Sequence, residues 1–442
     1  VSDLPRDTTG RWLRTAVPGS WALGGGGLAL LGLVLGRADL VALGAPLLLG
    51  LALALRTTPS GRGQVAIEGL HHDGDAAVRA HLTLQPPPGT ELALFRVSSP
   101  GHRHVDLVVA AAGPVEVPLC VSGVRTGRRR FFQVTHQQTS IGHRARTSSR
   151  QLGPAQLTVL PRPAELDRLP LPPRLQGLTG AHVSRRVGTG GDLHDIAPFS
   201  RGDRLRRIDW RATLRESGRG REPGTLTDLH VRRTFATADA VVNLVLDSRD
   251  DVARDRATWS GYGEVHPDDA TSLDLAREAA ASLAKAYLDA GDRVGFVDLG
   301  RVGRPIRPAG GRRHLQRIIH ALAVSTPSGG GRPIVRPPQA PSGALLIVLS
   351  TLLDDQAANL AACWRRHGHR VLAVEVLPPL PEVPRSAGED NLHRLIELEQ
   401  ADRLWDLARA GVETVRWQVT SDRSRSLATG LHLLARQRRR SA

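Results

Sequence analysis

The sequence predicts a multidomain chain with two transmembrane helices, a small antiparallel β-sandwich and an α/β doubly wound, Rossmann-like domain. Three observations carry that expectation. No charge falls between Arg14 and Arg37, and a second apolar run extends from Leu40 to Leu55. Residues 64–160 alternate apolar and polar side chains at period two between turn signals. From Ala240 onward, apolar strand-like runs alternate with stretches of helical spacing, the pattern of a mostly parallel sheet. A chain of 442 residues has room for such a division. The expected units are a membrane hairpin at 1–60, a β-sandwich-like domain at 61–163, a Pro-rich linker with a motif-bearing segment at 164–238, and the α/β domain at 239–442.

The hairpin is read as helices at about 17–36 and 38–55. The first matches the ~20 apolar residues that one bilayer crossing requires. The second spans roughly 24–27 Å at ~1.5 Å per residue, so it crosses a core of about 30 Å only with Asp39 in the interface. The glycines from Gly24 to Gly36 would weaken a helix in water. In lipid, leaving the helix would strand backbone groups, so the helix holds. Gly32-x-x-x-Gly36 offers a close helix contact. A second apolar run directly behind the first argues against a cleaved signal peptide. Arg11 and Arg14 precede the pair and Arg56 and Arg62 follow it, which puts both ends in the cytoplasm and Arg37-Ala38-Asp39 at the outer turn.

Strands are expected at 64–68, 77–84, 91–97, 105–109, 115–119 and 156–160, with a basic turn from Arg125 to Arg130. No acidic or thiol partner clearly accompanies His71-His72 or His102-x-His104 as a metal-ligand set, and they read as surface histidines in a basic loop. Pro161, Pro163, Pro170, Pro172 and Pro173 make a stiff linker. In the α/β domain, Ala240 to Asp247, Arg293 to Leu299, Ala344 to Ser350, Val371 to Val376 and Val412 to Trp417 are strands, with an edge strand at Val302 to Arg307. Helices fall at about 270–290, 311–324, 355–367, 390–410 and 424–438.

Composition excludes several classes. Lys285 is the sole lysine, and no Gly-x-x-x-x-Gly-Lys occurs, so the chain lacks a Walker phosphate loop. Cys120 and Cys363 are too few for a disulfide scaffold or a Cys-based zinc site. Gly-x-Ser-x-Gly and His-Glu-x-x-His are absent, which leaves no hydrolase motif and no assignable catalytic residue. The net charge of +16 is carried almost wholly by arginine, and the Arg/Ala/Gly/Pro bias matches high-GC coding. Arginine clusters (Arg204, Arg206, Arg207, Arg211, Arg215; Arg436 with Arg438 to Arg440) suit nucleic acid or anionic lipid. Aromatics amount to 3%, too few for base-stacking platforms, so nucleic acid is not an expected partner.

The densest motif runs from Gly188 to Thr213. A dinucleotide loop is excluded, because no clear strand precedes Gly188-x-Gly190 and Leu193 holds the last glycine position. The spacing of Asp203 with Arg207, and of Arg207, Arg211 and Arg215, predicts an ion-paired cationic ridge on a helical turn, anchored by buried Ile208 and Trp210. The order Gly188-x-Gly190, Asp195-x-Ala197-Pro198-Phe199-x-x-Gly202-Asp203-x-x-Arg206-x-Ile208-Asp209-Trp210-Arg211-Ala212-Thr213, then a buried strand ending in Asp247, resembles the domain-of-unknown-function 58 (DUF58) family. Gly202, Asp203, Arg206, Ile208, Asp209 and Trp210 form the core of the match. The resemblance implies a multi-pass bacterial cell-membrane protein with a membrane hairpin, a β-domain and a von Willebrand factor type A-like sheet. It also implies a MoxR-type AAA+ ATPase as partner, with other membrane-associated proteins and the lipid bilayer.

Type A domains that bind a metal carry Asp-x-Ser-x-Ser after the first strand. Here the positions read Asp247-Ser248-Arg249-Asp250-Asp251, and the later Ser-Asp becomes Ser350-Thr351 with Asp354 beyond. Mg2+ requires several converging oxygens, and Asp250, Asp251 and Asp354 beside Asp247 could replace those lost. The Arg249 guanidinium opposes a cation there, so no metal or other cofactor is expected and Arg249 neutralises Asp247. The expected function is a membrane-anchored, non-enzymatic interaction scaffold whose rim (Asp247, Ser248, Asp250, Asp251, Ser350, Asp354) faces a partner in the cytoplasm. The alternatives are a basic protein that binds nucleic acid or anionic lipid, and a small-ligand or enzyme site at the sheet's carboxyl rim.

Overall fold

The computed structural model describes residues 4–56, 61–73, 77–166, 169–176, 180–217, 228–260, 263–266, 269–301, 303–328, 337–379 and 387–417. They fall into two compact units, Val1–Val159 with His266–Asp268, and Leu160–Val265 with Asp269–Ala442.

The first unit opens with two short strands, β1 (Arg6–Thr8) and β2 (Trp12–Arg14), then the helices α1 (Val17–Val34) and α2 (Ala38–Arg56). The strands β3 (Gln64–Asp73), β4 (Ala77–Gln85), β5 (Thr90–Ser98), β6 (Val105–Ala110), β7 (Val115–Ser122) and β8 (Gly127–Phe131) follow. Next come β9 (Gln133–Ser140), β10 (Ala145–Thr147), β11 (Arg150–Leu152) and β12 (Ala155–Val159). One sheet has the order β1-β3-β4-β7 and the other β2-β10-β9-β5-β6, with β11 also on β9 and a separate β12-β8 pair. Alternation buries Val65, Ile67, Leu82, Leu84, Phe95, Phe132 and Val134 in one core, as the period-two pattern predicts. The basic turn expected at Arg125 to Arg130 is largely strand: β8 turns Gly127 and Phe131 inward and leaves Arg128 and Arg130 exposed.

Strands β1 and β2 have no counterpart in the sequence reading, because three residues are too few to show a period. They pair antiparallel with β3 (Arg6 opposite Ala66) and β10 (Trp12 opposite Thr147). An Asp7–Arg150 ion pair at 2.8 Å and a Gly63 amide donating to Thr9 Oγ1 at 2.8 Å fix them. The segments before α1 and after α2 therefore belong to one folded body.

Among the described residues, α1 alone is long and apolar enough to cross a membrane, with mean hydropathy 1.4. The second helix forms over the expected residues, but its apolar stretch is shorter, Ala38–Leu53, and contains Pro46. The helices touch through glycine. A Cβ on Gly32 would lie 2.7 Å from Val41 Cγ2, and one on Gly44 would lie 2.7 Å from the Gly25 carbonyl oxygen. Gly36 does not share that contact; it occupies the turn at φ +63°. Leucines face outward instead, with Leu23 81% and Leu33 73% exposed. Apolar outside and glycine inside reverses the pattern of a water-soluble helix pair.

The second unit contains β13 (His182–Pro198), α3 (Trp210–Ser217), β14 (His230–Ala238) and β15 (Val241–Leu246). After them come α4 (Ser272–Asp289), β16 (Arg293–Asp298), β17 (Ile306–Ala309), α5 (Arg312–Val324) and β18 (Leu345–Ser350). The last described elements are α6 (Asp355–Arg366), β19 (Arg370–Glu375), α7 (Ala387–Arg409) and β20 (Glu413–Arg416). The sheet order is β17-β16-β15-β18-β19-β20, parallel except for the edge strand β17. Leu244 and Leu246 pack with α4 and α5, whereas Val245, Leu346 and Val348 pack with α6 and Leu407 of α7. Helices thus cover both faces, as the apolar strands required. The edge strand lies at Ile306–Ala309, later than the expected Val302 to Arg307. The helix expected at 424–438 and Arg436 to Arg440 lie outside the described residues.

The proline segment is not a free linker. Tyr287, fully buried, donates its hydroxyl to the Pro170 carbonyl at 2.7 Å, and Arg370 donates to the Leu171 carbonyl at 2.7 Å. Leu166 and Leu169 pack on the core beside them.

Strand β13 is tied to the sheet by one titratable contact. His182 Nε2 lies 2.9 Å from the buried Asp292 Oδ1, which also accepts the Ala240 amide at 2.9 Å. The bond to Asp292 holds the imidazole pKa above its usual 6.5 although burial opposes it. A histidine raised in the fold contributes stability fully below its unfolded pKa and loses it as pH climbs through the folded value. The urea midpoint of the chain is therefore expected to decline as pH rises above 6.5. His182→Gln should flatten that decline; an unchanged profile would show that the contact carries no proton linkage.

Candidate functional site

Open α/β sheets bind ligands at the carboxyl ends of adjacent strands whose connections diverge. That point lies between β15 and β18, since β16 follows β15 on one side while β18 to β20 continue on the other. Their ends bring Asp247, Ser248, Arg249 and Ser350 together, and Asp354 joins from the start of α6.

Arg249 is 3% exposed and fills the centre. Its Nε donates to Asp247 Oδ1 at 2.8 Å and its Nη2 to Asp247 Oδ2 at 2.8 Å. Nη1 donates to Asp354 Oδ2 at 2.7 Å and Nη2 also to Asp354 Oδ1 at 3.0 Å. Ser350 Oγ donates to Asp247 Oδ2 at 2.7 Å. Burial would lower the arginine pKa, but bonds and charge from Asp247 and Asp354 more than reverse it, so the pKa stands above its ordinary value. The planar fork of a guanidinium suits this double bidentate clamp.

A Mg2+ ion does not fit this donor set. Every carboxylate oxygen of Asp247 and Asp354 already accepts an N–H, and a fixed positive charge stands where the ion would have to sit. Among the described residues no three His, Cys, Asp or Glu side chains are grouped to hold a metal.

The other predicted rim residues separate by role. Asp250 is half-buried, and burial followed by the charges of Asp247 and Asp354 raises its pKa, with Arg249 opposing. Asp251 Oδ1 accepts the Leu273 amide at 3.3 Å, so it supports the start of α4. Ser248, fully buried, donates to Asp298 Oδ1 at 2.5 Å and turns away from the Arg249 clamp. Asp298 Oδ2 is buried with no hydrogen-bond donor among the described residues.

Sequence reasoning missed Glu375 and Gln400. Glu375 ends β19, and burial pushes its carboxyl up despite Arg416 at 2.8 Å. Gln400 bridges the Thr351 carbonyl and Glu375 Oε1, each at 3.2 Å. A charged residue closing an otherwise apolar strand was the available signal.

The motif segment departs from the expected ridge. Asp203 does not pair with Arg207: its Oδ2 accepts the Ser200 amide and hydroxyl, each at 2.9 Å, and Arg233 at 3.3 Å. Gly202 makes the turn at φ +104°. A 3-10 turn covers Leu205–Arg207, and Ile208 and Asp209 interrupt the helix before α3 starts, so Arg207 falls out of register and only Arg211 and Arg215 keep the i,i+4 spacing. Arg207 donates to the Gly188 carbonyl at 2.8 Å. Asp209 caps α3, accepting the Arg211 and Ala212 amides at 3.1 and 3.0 Å. Ile208 is half-buried opposite Val231, while Trp210, expected in the core, is 57% exposed. Arg206 is exposed.

The sequence profile of the family described as Protein of unknown function DUF58 matches residues 195–401, from β13 through α7. No curated protein matches the chain.

Proposed function

We propose that the chain is a membrane-anchored, non-enzymatic interaction scaffold whose carboxyl rim engages a MoxR-type AAA+ ATPase in assembling or remodelling other proteins. The observation behind this reading is the closed Asp247–Arg249–Asp354 clamp, which occupies the place where a type A-like sheet would offer an open metal position. A parallel sheet with an antiparallel edge strand supports the von Willebrand factor type A-like assignment. On this reading α1 and α2 both cross a bacterial cell membrane and the two units face the cytoplasm; the shared sandwich of β1, β2 and β3 supports placing both hairpin ends on one side.

Asp250 is the rim acid best suited to touch a partner, because Asp247 and Asp354 are clamped by Arg249 and Asp251 holds α4. Asp250→Asn keeps its shape and removes its charge. In a pull-down from detergent-solubilised membranes, capture of the MoxR-type ATPase is expected to weaken about tenfold, ~1.4 kcal/mol, with the melting temperature not lowered. Undiminished capture would overturn the assignment of the rim. Asp251→Asn is expected to lower the melting temperature instead.

A further inference from the structure

Helix α3 is built inside out. Its hydroxyl residues face the protein: Thr213 is fully buried and accepts the His230 amide at 3.0 Å, and Ser217, 8% exposed, donates to the Thr213 carbonyl at 2.8 Å. Its apolar residues face out, with Trp210 57% and Leu214 63% exposed one turn apart. Leu205, on the preceding 3-10 turn, is 70% exposed. Arg204, Arg206, Arg211 and Arg215 are exposed among them, and their guanidinium groups make no hydrogen bond or ion pair among the described residues. Asp203 is used on Ser200 and Arg233 and Asp209 as the helix cap, which leaves Glu216 as the exposed acid of α3 against these four arginines. The result is a surface of leucine and tryptophan on which, among the described residues, arginine outnumbers acid.

We propose that this face docks on an anionic lipid surface. Leucine and tryptophan insert at the headgroup boundary, and the guanidinium groups meet lipid phosphates. The excess of arginine over Glu216 favours an anionic partner. An apolar helix long enough to cross a bilayer lies on the same chain, so tethering raises the local concentration of that surface. The docking is independent of the rim and its partner.

The test uses the full chain with Cys120→Ser, Cys363→Ser and Leu214→Cys, labelled with an environment-sensitive fluorophore and reconstituted in nanodiscs. Discs containing phosphatidylglycerol are expected to blue-shift the label and to quench it when they carry brominated chains. Phosphatidylcholine discs, high salt, or the added pair Arg211→Glu and Arg215→Glu should reduce the inserted fraction about tenfold. A Leu205→Cys label gives the same readout without touching α3. A label that stays in water in anionic discs overturns the proposal, as does an equal shift in phosphatidylcholine. In detergent, a shift induced by an oligonucleotide would assign the face to nucleic acid, and one that grows with protein concentration would assign it to a second copy; either outcome overturns lipid docking.

Discussion

Replacing Arg249 with methionine is expected to destabilise the sheet-bearing unit by about 3–5 kcal/mol, because it strands the Asp247 carboxylate in the interior. The side chain of Asp247 is 3% exposed, whereas that of Asp354 is 34% exposed and can turn to water. Most of the loss therefore belongs to Asp247. Arg249→Ser should start from a comparable loss but recover part of it in millimolar Mg2+, since it restores an oxygen beside Asp247 in place of the cation. The methionine variant has no such oxygen and should not respond. Denaturant titration with and without Mg2+ separates the two. A methionine variant as stable as the parent would show that the clamp does not hold the rim.

Asp292→Ala is expected to lose roughly 3 kcal/mol, the second-largest effect. It leaves His182 without its acceptor and orphans the buried Ala240 amide at the start of β15. Asp292→Asn retains an oxygen for Ala240 and should lose less than half as much. If both variants melt alike, the charge on Asp292 matters and its hydrogen-bond geometry does not.

Most of the sheet was legible in the sequence because its strands are apolar on both faces: Val241 to Leu246 and Leu345 to Ser350 are buried throughout. Its helices were legible because Leu273, Ala276, Ala280 and Leu283 in α4, and Ile318 and Leu322 in α5, recur at helical spacing. The long strand β13 was hidden by Gly188, Gly190 and Gly191 and by register shifts along β14. Glycine there is a packing requirement, since Gly188 lies too close to Ala236 for any Cβ. At the rim, the pairing of Arg249 with Asp247 could be read from adjacency. The second arm, Asp354, sits 105 positions away and is delivered by the β18–α6 connection. The orientation of α3 was misread for a different reason. Apolar residues normally face inward, but here the Thr213 hydroxyl satisfies a backbone amide 17 residues on, and local sequence carries no trace of that bond.

The short leading strands constrain how the chain can be made. Trp12 must find Thr147, and Asp7 must find Arg150, so residues 6–14 leave the ribosome long before their partners exist. The helical hairpin emerges in between. If the hairpin inserts in a membrane as proposed, the leading segment would have to stay on the ribosome's side of the bilayer until β9 to β11 arrive. A leader that exported it would leave the sandwich with two open edges.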